Sequence, residues 1–208
     1  MDNREFEKRL NSEGYNLIAG CDEVGRGCIA GPVYACAIIM PNDSNIEGIT
    51  DSKKLTDKKR RILKEQILQE AISYAVVAIS NQEIDEINIL EASRKAMEEA
   101  LKKLAIQPDY ILTDAMKIHT EIPFESIIKG DERSYTIGCA SIVAKVIRDD
   151  LMIELAKEYP GYEWENNKGY PTPYHKKQLP VLGITKHHRL TYEPVRECLA
   201  RINHENNT

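Results

Sequence analysis

Between residues 17 and 40 the chain reads LIAGCDEVGRGCIAGPVYACAIIM, and two adjacent acids, Asp22 and Glu23, stand where an apolar run meets a glycine-rich one. Burying an unpaired carboxylate in a strand is costly, so acids at such a boundary call for a partner outside the chain. Asp114 follows the strand-like YILT, and Asp131 follows FESIIKG. Each acid alone reads as an ordinary loop carboxylate. Together, carboxylates delivered by three strand ends make a cage for a hard cation, because Mg²⁺ takes a few carboxylates and leaves room for water and phosphate oxygens. Neighbouring strand side chains point to opposite faces, so Asp22 and Glu23 share one metal only if the glycines after Glu23 let the chain twist.

Those glycines raise a second possibility. GRGCIAG (25–31) is one residue off the dinucleotide fingerprint, but the strand-like PVYACAII follows it where that fingerprint needs a helix. The alternative is that bare amides beside a cation approach a sugar-phosphate backbone, with Arg26 as a charged fork. His119, five residues after Asp114, reads as a bystander rather than a general base.

The net charge of −5 on 208 residues disguises two basic segments. KKLTDKKRRILK (53–64) holds seven basic residues and one acid, and 166–189 holds five Lys or Arg and three histidines with no acid. Such runs in an acidic protein point to localised phosphate contacts.

The elements that must position these residues read as strands at 16–22, 33–40, 74–79, 110–113 and 124–128. Helices are expected from Thr56, a capping residue, to about Ala71, from Ile89 to Leu104 and from Tyr135 to Glu158, with shorter ones near 172–182 and 193–202. The order β-β-α-β-α-β-β-α implies an α/β fold, a mixed sheet covered by helices. The charged start, MDNREFEKRL, is unlike a signal peptide, and no stretch is apolar enough for a membrane span. Five cysteines without a Cys-x-x-Cys pair suggest reduced thiols and a cytoplasmic location.

DEVGRGCIAGPV (22–33), DSKKL (51–55), LTDA (112–115), KGD (129–131), ASIVAKVIRD (140–149), KGYPT (168–172) and HHRLTYEPV (187–195) together resemble bacterial ribonuclease HII in order and spacing, over about residues 16 to 200. The resemblance implies an RNase H-like mixed sheet flanked by helices (1–160) and a small C-terminal helical extension (161–208) that helps bind substrate. It implies metal-dependent cleavage of the RNA strand of RNA–DNA hybrids and incision 5′ to single ribonucleotides in duplex DNA, leaving 5′-phosphate and 3′-hydroxyl ends. Mg²⁺ or Mn²⁺ would act as a pair of ions. The family's metal carboxylates fall on Asp22, Glu23, Asp114 and Asp131, with Asp149 and Asp150 as rivals for the last; those two read as surface partners of Lys145 and Arg148. The glycine-arginine-glycine ribonucleotide sensor falls on Gly25, Arg26 and Gly27, the sugar-stacking tyrosine on Tyr170, and a phosphate-contacting lysine on Lys53. Cys28 and Asn167 depart from the common pattern, where many members carry proline and histidine. A monomer is expected, and RINHENNT, the end of the chain, has no aromatic pair suited to a sliding clamp. Two other readings are a non-catalytic hybrid-binding module and a metal-dependent nuclease or phosphatase of another class.

Overall fold

The computed structural model describes residues 3–50 and 52–205. Asp51 of the DSKKL motif and the last three residues of the C-terminal tail lie outside them. In chain order the elements are α1 (Glu5–Ser12), β1 (Ile18–Val24), β2 (Val33–Ile39), a 3₁₀ turn (Ser52–Lys54), α2 (Asp57–Glu70), β3 (Ser73–Ile79), α3 (Asn81–Ile87), α4 (Ile89–Lys102), β4 (Tyr110–Asp114) and β5 (Phe124–Ile127). After them come α5 (Gly130–Arg133), α6 (Tyr135–Glu158), α7 (Trp164–Asn167), α8 (Pro173–Leu182) and α9 (Glu193–Glu205).

The strands form one sheet in the order β3-β2-β1-β4-β5. β1 pairs antiparallel with β2 and parallel with β4, so the sheet is mixed, as the element order implied. Alternation along β1 sends Ala19 and Cys21 into a core with Ala96 and Met97 of α4, while Ile18 packs with Ile137 of α6 on the opposite face. α6 crosses that second face at very short range. A Cβ on Gly20 would stand 2.3 Å from the Thr136 carbonyl carbon, so only glycine lets the helix start so close to β1.

Three expectations need correction. β1 does not end at Asp22: its pairing with β2 continues through Glu23↔Ala35 and Val24↔Tyr34, because the apolar residues of β2 offer a full partner edge. Asp131 does not hang from a strand end but lies in the first turn of α5, after Lys129 in the left-handed region (φ 56°). The element order also omits α1, α3, α5 and α7, whose short, polar sequences hide their few buried residues. In α1 only Glu7 and Leu10 are buried; Glu7 accepts from the Ser134 hydroxyl (2.6 Å) and the Thr136 amide (3.0 Å), holding the start of α6. Thr56 caps α2 by accepting from Lys59 N, and α6 has the expected bounds.

Beyond α6, Tyr162, Trp164, Leu179 and Val195 form a core with Met152 of α6 and with Ile29 and Ala30 of the glycine-rich loop. The last segment is thus seated against the loop that follows Glu23.

Candidate active site

Asp22, Asp114 and Asp131 each offer a carboxylate oxygen, and the three atoms lie within 4.8 Å of one another. Asp22 reaches the group from β1, Asp114 from the last position of β4, and Asp131 from α5. The arrangement is locked locally. Asp114 Oδ1 accepts from the Gly130 amide (2.7 Å), which ties the β5–α5 turn to β4. Asp22 Oδ1 accepts from the Glu23 amide (2.7 Å), and Ser141 of α6, its hydroxyl 3.1 Å from that of Ser52, lines the same cavity as Asp22. Burial, then Glu23 and Asp114, push the Asp22 carboxyl well above the usual carboxylate range.

Glu23 keeps the alternation of its strand. It stands outside the group of three, yet it lines the same cavity of about 460 Å³ as Asp22 and Asp114. Its Oε1 receives a 3.3 Å contact from Arg26 Nη1, and its buried Oε2 has no hydrogen-bond partner among the described residues. Burial raises the Glu23 carboxyl; Arg26 opposes the shift and Asp114 adds to it. A buried, mutually repelling set of acids with an orphaned oxygen fits a divalent cation, since hard oxygen ligands at such spacing need positive charge between them.

Tyr170 lines the cavity from the C-terminal segment, although it is remote in sequence from the acids. Burial pushes its phenol up to about 12. Gly25 has φ 97°, and a Cβ there would strike the Arg148 side chain at 2.2 Å. Gly27 differs: a Cβ would meet only Tyr170 Cε1, at an ordinary 3.7 Å. Packing among the described residues therefore gives no reason for a glycine at position 27.

Lys53 lines the cavity, as do Arg60, Ser141 and Lys145, which sequence reasoning did not single out. Ser141 and Lys145 are four residues apart on α6 and so share a face, a signal present in ASIVAKVIRD. Asp149 is not a surface acid: it is buried and accepts from Lys145 Nζ at 2.5 and 2.7 Å. Asp150 pairs with Arg61 Nη2 at 2.6 Å, and neither acid belongs to the group of three. His119 is exposed against Glu98 (3.0 Å), away from the cavity. The second basic segment needs the larger correction. His175, His188 and Arg189 are buried, because they bond backbone and one another, and cannot face phosphates. Lys176, Lys177 and Lys186 of that run are exposed. All five cysteines are buried free thiols.

Residues 19–195 match the family model described as Ribonuclease HII. Ribonuclease HII of Leuconostoc citreum (strain KM20) is 47% identical over 201 residues, covering 94% of this chain and 77% of that protein. The ribonuclease HII of Leuconostoc mesenteroides subsp. mesenteroides is 48% identical over 195 residues, with the same shares, 94% and 77%. Among solved structures, ribonuclease H2 from Pyrococcus horikoshii OT3 superposes with a TM-score of 0.80 at 27% identity, over 89% of this chain and 98% of that one. Bst-RNase HIII in complex with Mn²⁺ has the same fold at a TM-score of 0.68 and 16% identity, over 92% of this chain and 71% of that one.

Proposed function

The chain belongs to the ribonuclease HII family and is a ribonuclease H endonuclease, and on that premise we propose that it incises duplex DNA 5′ to single embedded ribonucleotides as well as cutting the RNA strand of RNA–DNA hybrids. The observation that carries the reading is the meeting, around one cavity, of Asp22, Glu23 and Asp114 with Lys53 and with Tyr170, whose ring lies beside Gly27. Asp22, Asp114 and Asp131, with Glu23 through its orphaned oxygen, would hold the divalent cation, Mg²⁺ or Mn²⁺, in a site suited to two ions. When bound, such ions activate water and neutralise the leaving oxygen of a phosphodiester.

The chain's own residues do the selecting and positioning. The open side of Gly27 lets the backbone approach a sugar closely, and the 2′-hydroxyl is the one group that marks a ribonucleotide in DNA. Tyr170 packs on the adjacent sugar, and Lys53 neutralises a flanking phosphate. Arg26 holds Glu23 Oε1 and leaves Oε2 without a hydrogen-bond partner among the described residues. Residues 161–208 act in this reading as a helical extension that supplies Tyr170 to a catalytic unit formed by 1–160.

A fluorescent duplex with one ribonucleotide tests the proposal. With Mg²⁺ or Mn²⁺ it should be cut 5′ to that nucleotide, leaving a 3′-hydroxyl upstream and a 5′-phosphate downstream. The all-deoxy duplex should stay intact, and chelation should stop the reaction. Efficient cutting of the all-deoxy duplex, or cutting in chelator, would overturn it.

A further inference from the structure

Arg189 is fully buried, and among the described residues none of its hydrogen bonds goes to a carboxylate. Its Nη2 donates to Gly25 O (2.7 Å), its Nη1 to Arg26 O (2.9 Å), and its Nε to Gly31 O (3.0 Å). Nη1 also donates to the Tyr192 hydroxyl (3.0 Å), which in turn donates to Arg26 O at 2.7 Å. The surrounding backbone is knitted to the same loop: Arg189 N donates to Ile29 O (2.8 Å), and Gly31 N donates to His187 O (2.9 Å). On the other side, buried Arg148 donates to Pro32 O (3.0 Å) and Ala30 O (3.2 Å), with its side chain in the space that a Gly25 Cβ would need.

Burying a guanidinium without a counter-carboxylate is expensive, and backbone carbonyls repay it only when they sit in the fork. The reverse also holds, since a rigid fork fixes the carbonyls it bonds. The carbonyls of Gly25 and Arg26 belong to peptide planes that also carry the amides of Arg26 and Gly27. Clamping the oxygens therefore sets where those amides point.

We infer that Arg189, together with Tyr192, is the specificity-determining clamp of this enzyme: it positions the Gly25–Gly27 backbone for the ribose without touching substrate itself. The inference rests on the proposed reading of that loop as the ribose sensor. It accounts for a buried arginine in a segment whose basic character alone suggested phosphate contacts. The clamp does not touch the acidic group, so its loss separates recognition of the sugar from phosphate binding.

Two variants test it, Tyr192→Phe and Arg189→Lys. The first deletes one hydroxyl, and the second keeps the charge but loses the fork. Each is compared with wild type for binding, with Ca²⁺ in place of Mg²⁺, to a duplex with one ribonucleotide and to the same duplex all-deoxy. Thermal melting reports on folding. Tyr192→Phe should weaken the preference for the ribonucleotide duplex by about fivefold, the scale of the hydrogen bond lost at Arg26 O, with all-deoxy affinity unchanged. Arg189→Lys should weaken it further, with a matching fall in kcat/KM for incision. If Arg189→Lys does not fold, Tyr192→Phe decides. Unchanged preference in a folded Tyr192→Phe, or equal weakening on both duplexes, overturns the clamp. A wild type with no preference between the duplexes instead overturns the reading of the loop as a ribose sensor.

Discussion

Asp22 bears two electrostatic burdens at once, desolvation and the facing carboxylates of Glu23 and Asp114, and its carboxyl is pushed well up as a result. The folded state then binds the proton more tightly than the unfolded chain. In the metal-free protein, stability therefore falls as pH rises from the unfolded value through the raised folded one, and acidification restores it. A cation or a neutral side chain should relieve the same penalty. Asp22→Asn should accordingly raise the melting temperature of the chelated protein at neutral pH, by about 2–4 °C per kcal/mol relieved. It should also shrink the gain in melting temperature on adding Mg²⁺ or Mn²⁺, and lower cleavage by about a hundredfold or more. Melts with and without metal, alongside a cleavage gel, measure all three, and near-normal cutting by Asp22→Asn would end the assignment. The residue types of this cluster were legible in sequence because carboxylates beside strand ends are conspicuous. The separation of Glu23 from the other three was not, since it depends on β1 staying paired, and so regularly alternating, past Asp22.

At the scale of elements, the site depends on how closely α6 starts against β1. Gly20 allows the contact, Glu7 of α1 accepts from the first turn, and Ser134 caps the helix by accepting from Ile137 N (3.2 Å). α6 then delivers Ser141 and Lys145 to the cavity that Asp22 lines. Gly20→Ala would press a methyl into the Thr136–Ile137 peptide, backbone that cannot rotate away. The expected cost is about 1–3 kcal/mol in urea or guanidinium unfolding, with a larger loss of activity than of stability as Ser141 and Lys145 shift at the cavity. Full activity in Gly20→Ala would show that the site tolerates a displaced α6. The long amphipathic or apolar elements were readable from periodicity. α1, α3 and α5 were not, because their short, polar stretches earn their place through single tertiary contacts such as Glu7 with Ser134.

For the whole molecule, the balance of charge sets how substrate arrives. A net charge of −5 repels nucleic acid on average, while Lys53, Arg60 and Lys145 gather at the cavity beside the acids. Binding should therefore weaken with salt, by a log–log slope of about −0.9 for each phosphate neutralised on B-form DNA. Lys53→Ala should weaken binding to any sequence and flatten that slope by about one unit. Titrations of a labelled duplex at several salt concentrations measure it, and an affinity indifferent to salt would leave Lys53 as solvated surface.

The chain by itself determined which chemistry was available, through acids at strand ends, glycines around Arg26 and a tyrosine in KGYPT, because residue type and short-range periodicity are local properties. Tertiary structure alone decided which of those groups meet. Asp131 joins Asp22 and Asp114 through a left-handed turn at Lys129, and Tyr170 reaches the cavity because the last segment packs on Ile29 and Ala30. Burial likewise divided the basic residues into two kinds. Lys53 faces the cavity and solvent, whereas Arg148 and Arg189 are sealed among backbone carbonyls. A charge count cannot separate these cases, since solvation is decided by neighbours brought from across the chain.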